Sequence, residues 1–317
     1  MDLDGCLPLA VPVVVGLAAR PLSSLLPPRT ATWLLTATGA LLALTGTATL
    51  ALFALAGALR LPLIAALADL SQRVLHRDDP TSPPVAAVAG ALTVAALVAA
   101  TRTAVREVRA LRAAARTARD LPGDGLVSVV EDAGVEAFAL PGRPGRIVVS
   151  TGMLALLTEP ERRVLLAHER AHLAGGHHLF RAVVRVASAA NPALWPLRAA
   201  VTYTTERWAD ERAAATAGDR RRAARAIGKA ALAAARDPGR VVLGIGAPPL
   251  CRRSRTRPGP VPRRVAALLA PPPPHRHGLV AAVALLAVLA VTGVQDRASD
   301  LHQVIHRARQ GTAQSRG

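Results

Sequence analysis

The segment Leu166-Ala167-His168-Glu169-Arg170-Ala171-His172 holds two imidazoles four residues apart, with a carboxylate beside the first. On a helix such positions share a face, so His168 and His172 can present ring nitrogens to one zinc ion. Glu169 is close enough to take a proton from a metal-activated water without being a ligand. Zinc lowers the pKa of such a water toward ~7 and polarises a scissile carbonyl, so the chemistry this spacing supports is peptide-bond hydrolysis. The apolar run Val164-Leu165-Leu166-Ala167 just before it implies a half-buried helix. Thr158-Glu159-Pro160-Glu161 reads as its start, a capping box with Pro early in the first turn.

A catalytic zinc takes three protein ligands and keeps one position open. Two residues compete for the third place. His178 completes an HExxHxxGxxH pattern from His168, but that pattern requires a Met-turn downstream, and Met1 and Met153 both lie upstream. Glu206, in Glu206-Arg207-Trp208-Ala209-Asp210, is the better candidate. Glu206 and Asp210 share a helical face and would repel unless something cationic sits near them. One can ligate while the other accepts an N–H from a ligand histidine and fixes its tautomer. One zinc ion per chain is expected. Tyr203, one turn before Glu206, and His178 are candidates to stabilise an oxyanion. His177 reads as the end of the helix or as a solvent-facing residue, or as a further oxyanion candidate, and Trp208 reads as core.

The 317-residue chain that must hold these groups is 51% hydrophobic, with a mean hydropathy of +0.31. That is too apolar for an ordinary soluble enzyme of this length. Four apolar stretches, at about 5–26, 31–58, 84–103 and 277–295, approach or reach the roughly 17–25 residues a spanning helix needs. The first does so only by running through Arg20 and Pro21. Cys6 and Cys251 allow one disulfide at most. The net charge is +18, and residues 102–276 carry 30 of the 39 basic side chains against 14 of the 21 acidic ones. By the positive-inside rule that segment is cytoplasmic and both termini are external. The spacing of Arg102, Arg106, Arg109, Arg112, Arg116 and Arg119 places most of these guanidiniums on one helical face next to the third span, suited to anionic lipid. No aromatic interleaving accompanies them, so direct nucleic-acid binding is not expected.

The expected fold is therefore a mainly α integral membrane protein. Four transmembrane helices accompany an α+β zincin-like cytoplasmic peptidase domain with a small sheet. Residues 1–103 hold three spans, 104–276 the peptidase domain, 277–295 the fourth span and 296–317 a short external tail. Strands are expected at Leu126–Val130, at Ala137–Leu140 and at Ile147-Val148-Val149-Ser150. Helices are expected from Pro192 to Ala217 and, after Gly218, from Asp219 to Arg236. The Pro/Arg-rich stretch 240–276 reads as mostly irregular linker.

Taken in order, Ala137 to Gly142, Ile147 to Leu154, the HExxH helix and the Glu206/Asp210 pair resemble the gluzincin-type membrane peptidases. Two branches share that order: the BlaR/MecR-type antirepressor peptidases, and the HtpX and CAAX-prenyl-protease type. Asn191-Pro192, Gly218-Asp219-Arg220 and Arg264 to Leu269 resemble short members of the first. The resemblance implies zinc on His168, His172 and Glu206, with Glu169 as general base. It implies that Ile147, Val148, Val149 and Ser150 form an edge that aligns an extended substrate by β-augmentation. It also implies a cytoplasmic protein substrate: a winged-helix repressor of the penicillinase-repressor type, or the peptidase itself. The external penicillin-binding domain of the β-lactam sensors is not expected, since no Ser-x-x-Lys motif occurs in this sequence. Membrane-protein quality control is the alternative activity, and a non-catalytic membrane scaffold the non-enzymatic one. Cys-free candidate ligands argue against the latter, because structural zinc sites favour Cys.

Overall fold

The computed structural model describes residues 7–67, 82–236 and 260–316. Cys6 and Cys251 fall outside them.

Long Ala/Leu/Val/Thr runs form the helices α1 (Leu7–Leu25), α2 (Pro28–Ala58), the short α3 (Pro62–Leu67) and α4 (Pro83–Asp120). α1 passes through Arg20 and Pro21 without interruption. In α2, Thr32 and Thr47 hydroxyls donate to the carbonyls of Pro28 and Ala43 four residues back, each at 2.8 Å. Bonding within the helix satisfies these two hydroxyls without water. α4 continues unbroken from its apolar half into the arginine-bearing half. With a helix spanning His277–Arg316, these make four helices long and apolar enough to cross a membrane. The chain is accordingly a multi-pass membrane protein; that last helix also runs on through the expected tail.

Three strands follow α4: β1 (Val127–Val130), β2 (Ala137–Leu140) and β3 (Arg146–Ser150). The order is β1-β3-β2, with β3 parallel to β1 and antiparallel to β2. This corrects the expectation that Ile147–Ser150 is an edge. β3 is the central strand and all five of its residues are buried, because its Ile/Val side chains supply core to both sheet faces. Its backbone is paired on both sides, so the free edges belong to β1 and β2. Glu136 and Ser150 form a hydrogen-bonded pair, the Ser150 N–H donating to the Glu136 carbonyl at 2.9 Å. In an antiparallel ladder alternate residues face the partner, so the backbone groups of Val135, Ala137 and Ala139 face away from β3, toward the open edge.

Ser150 caps α5 (Thr151–Leu156), its hydroxyl accepting from the Met153 N–H. The capping box forms as expected at the start of α6 (Glu159–Ala174). Glu161 accepts from the Thr158 backbone N–H at 2.9 Å and from the Lys229 ammonium at 3.0 Å. α7 (His177–Ala190), a 3-10 turn at Pro192–Leu194 and α8 (Trp195–Ala217) form a hairpin. Gly218 closes α8 in the left-handed region (φ +64°), and α9 (Arg220–Arg236) follows.

The hairpin packs directly on the spans: Phe180, Val184, Leu197 and Val201 share one core with Val11, Val15 and Leu35. Its turn lies so close to α1 that a Cβ on Gly16 would sit 2.2 Å from the Ala193 carbonyl oxygen. Of the helices that carry candidate ligands, α8 is thus fixed directly to the membrane helices, and α6 packs on α8.

Within the expected linker, Pro260–Leu269 is helical (α10). Val265 and Leu268 pack with Ala223 and Ala224 of α9, and Arg220 donates to the carbonyls of Ala267, Leu268 and Ala270 at α10's C-terminal end. The final helix, His277–Arg316, is α11.

Candidate metal centre and hydrolytic site

α6 brings His168 and His172 to one face, with their Nε2 atoms 3.1 Å apart. α8 crosses that face and supplies Glu206. Its carboxylate oxygens lie 3.5 Å from the His172 Nε2 and 3.7 Å from the His168 Nε2. These three residues form the candidate metal-holding group among the described residues. Zinc–ligand bonds of about 2.0–2.2 Å at tetrahedral angles imply ligand–ligand edges of roughly 3.3–3.5 Å, and the three observed separations bracket that figure. Donor chemistry agrees: two imidazoles and one carboxylate, with Asp210 Oδ1 3.0 Å from the His168 Nδ1. A proton on Nδ1 leaves the His168 Nε2 lone pair facing inward. The residues present therefore fit a zinc ion.

The electrostatics of the site favour a cation. Burial pulls the His168 imidazole down, but the Asp210 and Glu206 carboxylates beside it outweigh burial and raise it to about 10. His172 is held well below its usual value, chiefly by burial. Burial pushes the Glu169 carboxyl up to about 7. Glu206 and Asp210 are buried too, yet both stay below the usual carboxylate range. Arg264, His172 and His168 lead the opposing effects on Glu206, and Arg264 and His168 those on Asp210.

Two arginines that sequence reasoning passed over hold these carboxylates. Arg264 of α10 grips Asp210 with two hydrogen bonds of 2.7 and 2.6 Å, and its other terminal nitrogen lies 2.8 Å from Glu206. Arg181 of α7 donates to Glu206 at 2.5 Å and to the Thr205 hydroxyl at 3.0 Å. Arg264 left a faint trace in the sequence, since Val265, Leu268 and Leu269 give a short amphipathic spacing inside the Pro-rich stretch. Arg181 left none, because its role depends on how α7 lies against α8.

A cavity of about 230 Å³ opens on the site. His168, Glu169, Glu206 and Arg264 form its polar side, while Val135, Val164, Ala226, Ile227 and Ala230 give it apolar walls. Glu136 and Ala137, at the open edge of β2, line one rim. Tyr203 and His178 are not brought to this cavity. Tyr203 is buried, with the Arg263 guanidinium 4.2 Å over its ring. His177 is fully buried against Trp208 and does not reach solvent.

Comparison with known proteins gives one match. The model of a family described as Peptidase family M48 matches residues 100–194, under a third of the chain. That stretch contains the sheet and both histidines of the HExxH segment but stops before Glu206. Over it the chain is similar to a metallopeptidase family, which agrees with the coarser expectation of a metallopeptidase. No curated protein and no solved structure matches.

Proposed function

We propose that this protein is a membrane-bound zinc metalloendopeptidase that cuts a cytoplasmic protein in regulated proteolysis. The observation that carries the proposal is the convergence of His168, His172 and Glu206 around one point, with Glu169 beside them in an apolar-walled cavity. His168, His172 and Glu206 would hold the metal, and Asp210 would orient His168. A zinc ion bound there supplies Lewis acidity toward water and the scissile carbonyl.

The remaining work falls to the chain's own residues. An extended substrate adds to the open edge of β2, where the outward backbone groups of Val135, Ala137 and Ala139 can pair with it. That strand takes the aligning role first assigned to Ile147–Ser150. One apolar substrate side chain enters the cavity between α6 and α9 and excludes water from it. The Glu169 carboxylate accepts the proton of the attacking water and delivers it to the departing amine nitrogen. Burial, which holds this carboxyl near neutrality, suits it to both transfers.

The concentration of basic residues in 102–276 supports a cytoplasmic site. The family resemblance supports a winged-helix repressor, or the peptidase itself, as substrate. A second reading, quality control of membrane proteins, draws support from the packing of α7 and α8 on α1 and α2, which joins the peptidase helices to the membrane helices.

The test is proteolysis by detergent-solubilised protein beside Glu169→Gln. The variant should retain zinc and lose at least about 10²-fold in rate. Cleavage at the parental rate would refute the mechanism. Adding a purified repressor substrate in one arm and an unfolded membrane protein in the other separates the two readings.

A further inference from the structure

Asp210 orients His168, but His172 needs an equivalent, because an imidazole ligates through whichever nitrogen carries no proton. The structure supplies one residue for this. The Nδ1 of His177 lies 2.8 Å from the Nδ1 of His172. One of the two nitrogens must carry the hydrogen and the other must accept it. The metal-binding role read for His172 decides the matter for His177. Its side chain is 1% exposed, and its Nε2 has no hydrogen-bond partner among the described residues. Its ring lies 4.7 Å from that of Trp208 at 47°. Metal bonding through the His172 Nε2 requires that nitrogen to be bare, so the His172 proton sits on Nδ1, the His177 Nδ1 is the acceptor, and the hydrogen of His177 is left on Nε2. His172 then turns its bare Nε2 toward His168 and Glu206.

We propose that His177 is a positioning residue for the metal centre: it accepts the Nδ1–H of His172 and locks the ligating tautomer and ring orientation, with Trp208 holding His177 in turn. The backbone is shaped for this contact. Gly176 turns the chain in the left-handed region (φ +59°), bringing α7 back beneath α6. A Cβ on Gly175 would fall 2.5 Å from the His177 Nε2 and 2.9 Å from the Ala171 carbonyl. The consecutive glycines thus make room for the imidazole. This inference rests on the metal-site reading above but is separable from it.

The experiment is a competitive zinc titration of the detergent-solubilised full chain against a chelating fluorophore, with thermal unfolding of each chelator-treated variant alongside. His177→Leu keeps the bulk and removes the acceptor, and should weaken zinc 10- to 100-fold. His177→Asn places an amide oxygen near the position of Nδ1 and should recover affinity to within about threefold of the parent. Gly175→Ala retains all three histidine residues but displaces the His177 ring, and should weaken zinc about tenfold. It keeps the test decisive should His177→Leu fail to fold. Parental affinity in both His177→Leu and Gly175→Ala overturns the proposal. Equal weakening in His177→Leu and His177→Asn also overturns it, since a packing role alone would not distinguish them. A parent that binds no zinc refutes the metal-site reading itself.

Discussion

Arg264→Met isolates the contribution of the residue that the sequence assigned to a linker. The guanidinium makes two short hydrogen bonds to Asp210 and a third polar contact to Glu206. The Asp210 side chain is 2% exposed and that of Arg264 is 12% exposed, so water cannot replace the lost partner. Removing one member of such a buried pair leaves an uncompensated carboxylate and costs about 3–5 kcal/mol. For a unit of roughly 150–250 residues, each kcal/mol shifts the unfolding midpoint by about 2–4 °C. The expected fall is therefore about 6–20 °C. Arg263→Met is the neighbouring control. That side chain makes a ring contact with Tyr203 and one exposed hydrogen bond to Ser24, worth about 1 kcal/mol together. The assay is thermal unfolding in one detergent at one heating rate, on chelator-treated protein, because membrane proteins rarely unfold reversibly. Zinc should then restore part of the loss in Arg264→Met. A bound cation compensates Glu206 directly but reaches Asp210 only through His168. An Arg264→Met midpoint within about 2 °C of the parent would refute the view that α10 clamps the site's carboxylates.

Glu161→Gln tests the capping box. The Glu161 carboxyl is held below its ordinary value of 4.5 by the Thr158 backbone N–H and by Lys229. Its contribution is therefore full above pH 4.5 and fades as pH falls through the lowered folded value, so unfolding midpoints of parent and variant should differ at pH 7 and converge in acid. Ala137→Pro removes an outward-facing N–H of β2 while sparing the ladder to β3. It should raise KM for an extended peptide about fivefold, from one lost hydrogen bond of about 1 kcal/mol, whereas Phe138→Pro should disrupt the sheet and lower the unfolding midpoint. Ala230→Phe fills the apolar wall of the cavity. It should lower kcat/KM about 10- to 100-fold for peptides with a large apolar residue at the cleavage site and spare those with Ala, as read by competition between two such peptides.

Much of this protein is legible along the chain, because the relevant physics is local. Twenty-odd apolar residues in a row mark a membrane helix whatever its neighbours are. The capping box at Thr158 and the left-handed stop at Gly218 depend only on residues within a turn or two. The i,i+4 spacings of His168 with His172 and of Glu206 with Asp210 place each pair on a helical face before any tertiary contact exists.

Tertiary structure decided everything that depends on two elements meeting. β3 reads as a strand from its Ile/Val content, but whether it is an edge depends on which neighbours pair with it, and β1 and β2 cover both sides. The tertiary contacts of α10 make it a helix that holds the site, since its sequence is proline-rich and its partners lie about 50 residues away. His177 shows the contrast most sharply. Its place in the sequence suggests a frayed helix end, yet Gly176 folds it back and Trp208, from α8, seals it against His172. By itself the sequence determined which side chains could bind a metal and which segments enter the membrane. Only the packing of α7, α8 and α10 around α6 decided which groups hold those ligands, because hydrogen bonds between side chains far apart in sequence exist only once the backbone has brought them within about 3 Å of each other.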